Sequence, residues 1–136
     1  MAGRRIATHD TTCIVVRKDG KLLLVQRKHR PETGYWALPG GHRERDESIR
    51  RCAEREAQEE IGPAAVNPRP FFTFTHDIDI GHRHRCHVFH GRLAGRPRAG
   101  SDAAAAKFVA LPVMRRLELT HYTKLIINRM LEHGLL

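Results

Sequence analysis

Apolar and polar positions along this chain change period several times, and each change marks an element. Residues 11–16, Thr-Thr-Cys-Ile-Val-Val, are rich in β-branched side chains and predict a strand. Asp19-Gly20 is a hairpin signal, and residues 21–27, with Leu22-Leu23-Leu24-Val25 inside them, predict a partner strand buried on both faces. Residues 30–34 form a loop by their Pro and Gly content, and residues 35–38 a short strand running into Pro39-Gly40-Gly41. A helical period then runs from about Asp46 to Ile61. It sets Ile49, Ala53, Ala57 and Ile61 on one face, with Arg51, Glu54, Arg55 and Gln58 on or beside the other. Residues 71–76 alternate with period two, as a half-buried strand does, and 77–81 join them to a second strand over 84–93. Residues 91–100 are a basic, turn-rich loop, with Ser101-Asp102 following. Thr120 is a suitable N-cap for a last helix to about His133, with Leu125, Ile126, Met130 and Leu131 inward and Gly134 just past its end.

Three acids break the amphipathic logic of the first helix. Glu56, Glu59 and Glu60 fall within an arc of about 100° that overlaps the edge of the apolar face. Acids at such spacing repel one another, and a half-buried carboxylate is costly unless it is paired or metal-bound. An ordinary solvated face would set them opposite Ala53 and Ala57 and interleave bases. The pattern favours a cation site. Residues 41–62 hold seven of the 15 acids, and the rest of the chain carries 19 bases against 8 acids. Acids concentrated in a basic chain suit a cation site for a polyanionic substrate.

The same stretch resembles the Nudix box, G-x5-E-x7-R-E-U-x-E-E-x-G-U, where U is aliphatic. Gly41, Glu47, Arg55, Glu56, Glu59, Glu60 and Gly62 match in register, Ala57 is a small stand-in at the first U, and Pro63 departs from the last. Trp36-Ala37-Leu38-Pro39-Gly40 is similar to the family's lead-in, and a weaker likeness runs from about Thr8 to Met130. The resemblance, with the order of elements, implies an α/β fold: an α/β/α sandwich whose mixed, partly parallel sheet lies between the Glu-rich helix and the C-terminal one. Lys107-Phe108-Val109 resembles a family strand, which places residues 105–111 in the sheet.

For chemistry, the resemblance implies hydrolysis of a nucleoside diphosphate linked to a further moiety, dependent on Mg²⁺ or Mn²⁺. Glu56, Glu59, Glu60 and the carbonyl of Gly40 are the expected metal ligands, and Glu59 or Glu56 also the general base. Glu47 and Arg55 are expected to pair and fix the loop against the helix. Arg27, at the end of its strand, is the expected phosphate contact, with a solvated strand end as its plain alternative. Gly40 and Gly41 let backbone approach a ligand. Trp36, the only tryptophan, reads foremost as core and secondarily as a stacking platform for the substrate base. ADP-ribose or a similar sugar nucleotide is favoured by the likeness of residues 91–102 and 119–124 to small ADP-ribose pyrophosphatase-like members. Against it, a family proline beyond the box is absent, Ile78 and Asp79 occupying that region, and an acid expected two residues before Lys107 is Ala105. The alternatives are a nucleoside triphosphate pyrophosphohydrolase of the nucleotide-pool type, and an RNA 5′-end hydrolase or non-catalytic RNA binder.

Composition narrows the field only in part. At 136 residues the chain is expected to form one domain, residues 1–136, monomeric or homodimeric. It has no run of 18 apolar residues and no signal-like start, and its three cysteines contain no CxxC, so a cytoplasmic, membrane-free protein is expected. A net charge of +9 suits phosphate-rich ligands, but it suits nucleic acid equally and cannot choose between them. Aromatic content of 6% and an intact acid set disfavour the RNA reading. Five of the ten histidines (His76, His82, His84, His87, His90) fall in or beside the 71–93 hairpin. No Cys/His spacing there matches a known zinc site, so they read as surface residues, with one or two facing phosphate.

Overall fold

The computed structural model describes residues 6–62 and 65–136. Seven strands, β1 (Ala7–Lys18), β2 (Lys21–Arg27), β3 (Trp36–Ala37), β4 (Gly40–His42), β5 (Ala65–Asp79), β6 (His82–Leu93) and β7 (Ala103–Ala110), form one mixed sheet. The helices are α1 (Ile49–Ile61), the short α2 (Leu111–Met114) and α3 (His121–Glu132). β1 and β6 run parallel, and the other pairs are antiparallel.

Alternation along β1 and β2 builds the layers. Cys13, Val15, Leu22 and Leu24 point to one face, where they pack with Ile126, Ile127 and Met130 of α3. Ile14, Val16, Leu23 and Val25 point to the other, against Ala53, Ala57 and Ile61 of α1. A strand apolar on both faces needs a helix on each side, and the result is an α/β/α sandwich.

The Asp19-Gly20 turn has both residues at positive φ, 52° and 75°, as a two-residue hairpin with right-handed twist demands. Yet β1 and β2 share only the pairs Arg17↔Leu22 and Lys18↔Lys21. Beyond them the strands part: β1 takes β4 and β6, while β2 takes β3 and β7. The Gly40–His42 strand lies on the open side of this fork, which positions the site.

Several boundaries differ from the sequence pattern for physical reasons. α1 starts at Ile49, not near Asp46, because Asp46 sits at φ 64° and Ser48 is the N-cap, its Oγ accepting from the Arg51 N–H at 3.1 Å. β1 begins at Ala7, since its first residues gain pairing with β6 and bury nothing apolar to mark them. β7 begins at Ala103, and Leu111 opens α2 with Pro112 in its first turn. α3 ends as its sequence suggests. The Leu135 N–H donates to Met130 O and the Gly134 N–H to Leu131 O, with Gly134 at φ 66°. Pro63, the departure from the aliphatic position after the box, lies outside the described residues.

Candidate active site

The candidate cleft opens where β1 and β2 part. Its volume is about 430 Å³, and Arg27, Gly40, Gly41, His42, Glu56, Glu60, Asp102 and Tyr122 are among its walls. A second hollow, about 300 Å³ beside Arg51, Gln58 and Gly62, contains neither Glu56 nor Glu60 and has no comparable donor set. The first is the site on chemical grounds.

α1 delivers the acids. Glu60 is held against the strand fork, its Oε2 accepting from the Gly40 N–H at 3.0 Å. Burial pushes its carboxyl well above the ordinary range, and the neighbouring Glu56 pushes it further, with Gly40 and Arg27 acting the other way. Burial also raises Glu56, which Arg55 pulls down and Glu59 pushes up. A Cβ at Gly41 would stand 2.4 Å from Glu56 Oε1, so a larger residue there would push the Glu56 carboxylate from its place.

Arg55 organises the neighbouring acids. Its Nε and Nη2 donate to Glu47 at 2.7 and 3.0 Å, and its Nη1 to Glu56 at 3.0 Å and Glu59 at 3.1 Å. Glu44 lies 3.5 Å from the same guanidinium, whose Nη2 also donates to His42 O at 3.1 Å. Hydrogen bonds from Arg55 hold Glu47 at about 2, and Glu47 in turn raises the Arg55 pKa. Glu47 thus couples the loop before α1 to the helix, while Glu59 faces Arg55 and not the cleft.

The far wall comes from the loop between β6 and β7, residues 94–102. The carbonyls of Glu59, Glu60 and Ile61 close α1 and need donors. They accept from Asp102 N–H at 3.4 Å, Gly100 N–H at 2.8 Å and Arg98 N–H at 3.4 Å. Gly100 passes so near that a Cβ would stand 1.9 Å from Glu59 O. This contact brings Asp102 to the cleft, where its charge raises both Glu56 and Glu60.

Sequence reasoning named Gly40, Gly41, Glu56, Glu60 and Arg27, and all five line this cleft. The Arg27 guanidinium is tethered at the rim, Nε donating to Pro31 O at 2.8 Å and Nη2 to Arg30 O at 3.4 Å. Trp36 stands apart. Its half-buried ring packs with the α3-side core under Lys107, whose Nζ is 4.5 Å from the ring centre. Asp102, His42 and Tyr122 were missed. Asp102 carried a signal, an acid ending a basic loop, while Tyr122, whose hydroxyl donates to Leu38 O at 2.7 Å, carried none. Burial raises the Tyr122 pKa and keeps the phenol neutral.

Could these residues hold a divalent ion? Glu56, Glu60, Asp102 and the Gly40 carbonyl are hard oxygen donors, the set that Mg²⁺ and Mn²⁺ prefer. Two acids raised by burial and mutual repulsion gain most from such a charge. Among the described residues no three His, Cys, Asp or Glu side chains already converge tightly enough to enclose an ion. The fit is one of donor type and charge, with side-chain adjustment needed to complete a shell.

Comparison with known proteins decides the family. The NUDIX domain model matches residues 7–128. The chain belongs to the NUDIX family. This Nudix chain is 30% identical over 121 residues to an ADP-ribose pyrophosphatase of Methanocaldococcus jannaschii, covering 86% of the chain and 72% of that relative. Its fold matches the crystal structure of a MutT NUDIX hydrolase from Burkholderia pseudomallei, with TM-score 0.71 and 28% identity over 88% of this chain and 95% of that one. It also matches a bifunctional NMN adenylyltransferase/ADP ribose pyrophosphatase from Francisella tularensis, with TM-score 0.70 and 26% identity. There it covers 93% of its own length but 41% of the longer protein. Family and relatives make it an enzyme, a Nudix pyrophosphohydrolase. No helix among the described residues is long and apolar enough to cross a membrane.

Proposed function

We propose that this Nudix hydrolase cleaves the diphosphate of ADP-ribose or a closely similar sugar nucleotide, with Mg²⁺ or Mn²⁺ held by Glu56, Glu60 and the Gly40 carbonyl. The observation that carries the reading is the cleft itself, where two buried-edge carboxylates face a tethered arginine across about 430 Å³. The 30% identity to an ADP-ribose pyrophosphatase supports the substrate class.

A diphosphate resists water because its own charge repels a nucleophile. A bound divalent ion supplies charge neutralisation at the phosphate oxygens and a more acidic water. The chain does the rest. Arg27 binds the phosphate entering from the rim, its guanidinium already oriented by the Pro31 and Arg30 carbonyls. Gly40 packs where a Cβ would collide with the β1 backbone at Thr12 and Cys13, and Gly41 where one would crowd the Glu56 carboxylate, so both keep the loop close to the acids. Glu56, which lines the cleft, receives the proton of the attacking water; Glu59, the other acid able to do so, does not line it. Arg55 keeps Glu56 from swinging away, and Glu47 keeps Arg55 in place. Water adds to one phosphorus, the bridging P–O bond breaks, and a nucleoside monophosphate leaves with a sugar phosphate. Three buried free cysteines suit the reducing cytoplasm expected of the chain.

A Mg²⁺ assay over sugar nucleotides, dinucleotides and nucleoside triphosphates tests the proposal. The highest kcat/KM should fall on ADP-ribose or a sugar nucleotide. A triphosphate turned over faster than all of them overturns the substrate assignment.

A further inference from the structure

Histidines gather beside the acidic cleft. The rings of His9, His42, His76, His82, His84 and His121 form a connected group, with neighbouring centres 5.0 to 6.3 Å apart. Sheet register explains it. His9 pairs with His84 across the parallel β1–β6 ladder, and His84 with His76 across β6–β5. His42 pairs with Thr11 on the opposite edge of β1. Cross-strand partners share a face, and residues two apart on a strand return to it. These four imidazoles therefore stand on one face of the sheet, although they come from four strands.

His42 and His84 meet across β1 with Nε2 atoms 3.3 Å apart. Their ring centres are 5.0 Å apart, closer than rings meeting end-on at that nitrogen separation could lie, so the two nitrogens approach at a bend. Two imidazoles bound to one tetrahedral zinc at Zn–N distances of about 2.0–2.1 Å have nitrogens separated by about 3.3 Å. A plain His–His hydrogen bond gives a similar separation, but it joins one donor to one acceptor and requires no bend. The surroundings argue for an ion as well. The groups that converge there are imidazoles, His42 and His84 with His76 and His9 beside them, and not the oxygen set that hard Mg²⁺ prefers. Imidazole nitrogen selects Zn²⁺ and related late divalent ions.

We propose that His42 and His84 form a two-imidazole seat for Zn²⁺ at the edge of the nucleotide cleft, separate from the acidic site. The two rings supply half of a tetrahedral shell. His76 and His9, with ring centres 5.5 and 6.3 Å from His84, are the nearest groups able to supply a third ligand by a rotamer change, and water completes the shell. His42 also lines the cleft, so an ion in this seat stands beside the path of a substrate diphosphate.

Zn²⁺ binding is measured by competition with a chromophoric chelator in excess Mg²⁺, on the wild-type chain, His84→Ala, His42→Gln, His90→Ala and Glu60→Gln. The wild type should take up one equivalent. Loss of an outer partner of a metal ligand alone costs about 10–100-fold in affinity, so His84→Ala and His42→Gln should each weaken binding by roughly 10-fold or more. His90→Ala, outside the group, and Glu60→Gln, in the acidic site, should bind as wild type; retention in Glu60→Gln holds whatever the hydrolytic substrate is. Circular dichroism checks that each variant is folded, and in the Zn²⁺-loaded wild type the ¹⁵N resonances of both Nε2 atoms should shift. Unchanged affinity in folded His84→Ala, or loss of binding in Glu60→Gln, overturns the proposal.

Discussion

Arg55 grips Glu47 with two hydrogen bonds, Nε at 2.7 Å and Nη2 at 3.0 Å, and the same guanidinium reaches Glu56 and Glu59. The pair joins the loop before α1 to the helix that carries the acids. Glu47→Ala removes two hydrogen bonds of a half-buried arginine that keeps Glu56 and Glu59 as partners, and should cost about 1–3 kcal/mol in stability. Glu47→Ala/Arg55→Ala should recover part of that loss in denaturant unfolding. Strict additivity of the single changes would show that the two residues are not coupled.

The same pair fixes an acid limb of stability. Arg55 holds the folded Glu47 carboxyl at about 2, below its ordinary value of 4.5. A depressed carboxylate stabilises fully above its unfolded pKa and loses that contribution as pH falls through the folded one. Wild-type stability should therefore drop between about pH 4.5 and 2 more steeply than that of Glu47→Gln. Parallel pH profiles for the two proteins would contradict this.

Glu60 works with the opposite sign. Burial and Glu56 raise its pKa, so in metal-free protein stability declines as pH rises from the ordinary carboxylate range through that raised value. Glu60→Gln should raise the metal-free melting temperature at neutral pH, about 4 °C for each kcal/mol relieved, while reducing turnover. A lower melting temperature with normal circular dichroism would mean that the charge is already compensated.

Gly100 supports the site from outside it. A Cβ there would stand 1.9 Å from Glu59 O, and the Gly100 N–H donates to Glu60 O at 2.8 Å. Gly100→Ala should cost about 1–3 kcal/mol as overpacking and lower kcat by displacing Asp102 from the cleft. Wild-type stability together with wild-type kcat would show that the loop does not position the acid.

Much of this was legible in the sequence because it is local. The Asp19-Gly20 turn, the apolar face of α1 and the Gly134 terminus each depend on neighbours within a few residues. The acids could be placed because helical spacing sets Glu56, Glu59 and Glu60 relative to Ala53 and Ala57. Spacing could not show that Arg55 holds Glu59 away from the cleft, nor that the 94–102 loop caps α1 and carries Asp102 to Glu56 and Glu60. It also left the His42–His84 contact invisible, since 42 residues, α1 and β5 among them, separate those rings along the chain. Each of these depends on pairings set by the whole sheet.

The central claim is that the Glu56–Glu60 face of α1 holds the divalent ion for diphosphate hydrolysis, with Arg27 at the rim. The direct measurement is steady-state hydrolysis of ADP-ribose across a Mg²⁺ titration, for wild type, Glu60→Gln, Arg27→Ala and Arg98→Ala, at two salt concentrations. Wild type should show saturable Mg²⁺ dependence, yielding AMP and ribose phosphate. Glu60→Gln should lose turnover while folded, and Arg27→Ala should lower kcat/KM more than Arg98→Ala does. A substrate with two charges meets few bases, so its KM should rise only modestly between about 50 and 200 mM salt, whereas a ligand making 6–10 phosphate contacts would lose about 10³–10⁵ in affinity. Full activity in excess chelator, or a near wild-type rate for Glu60→Gln, would contradict the account.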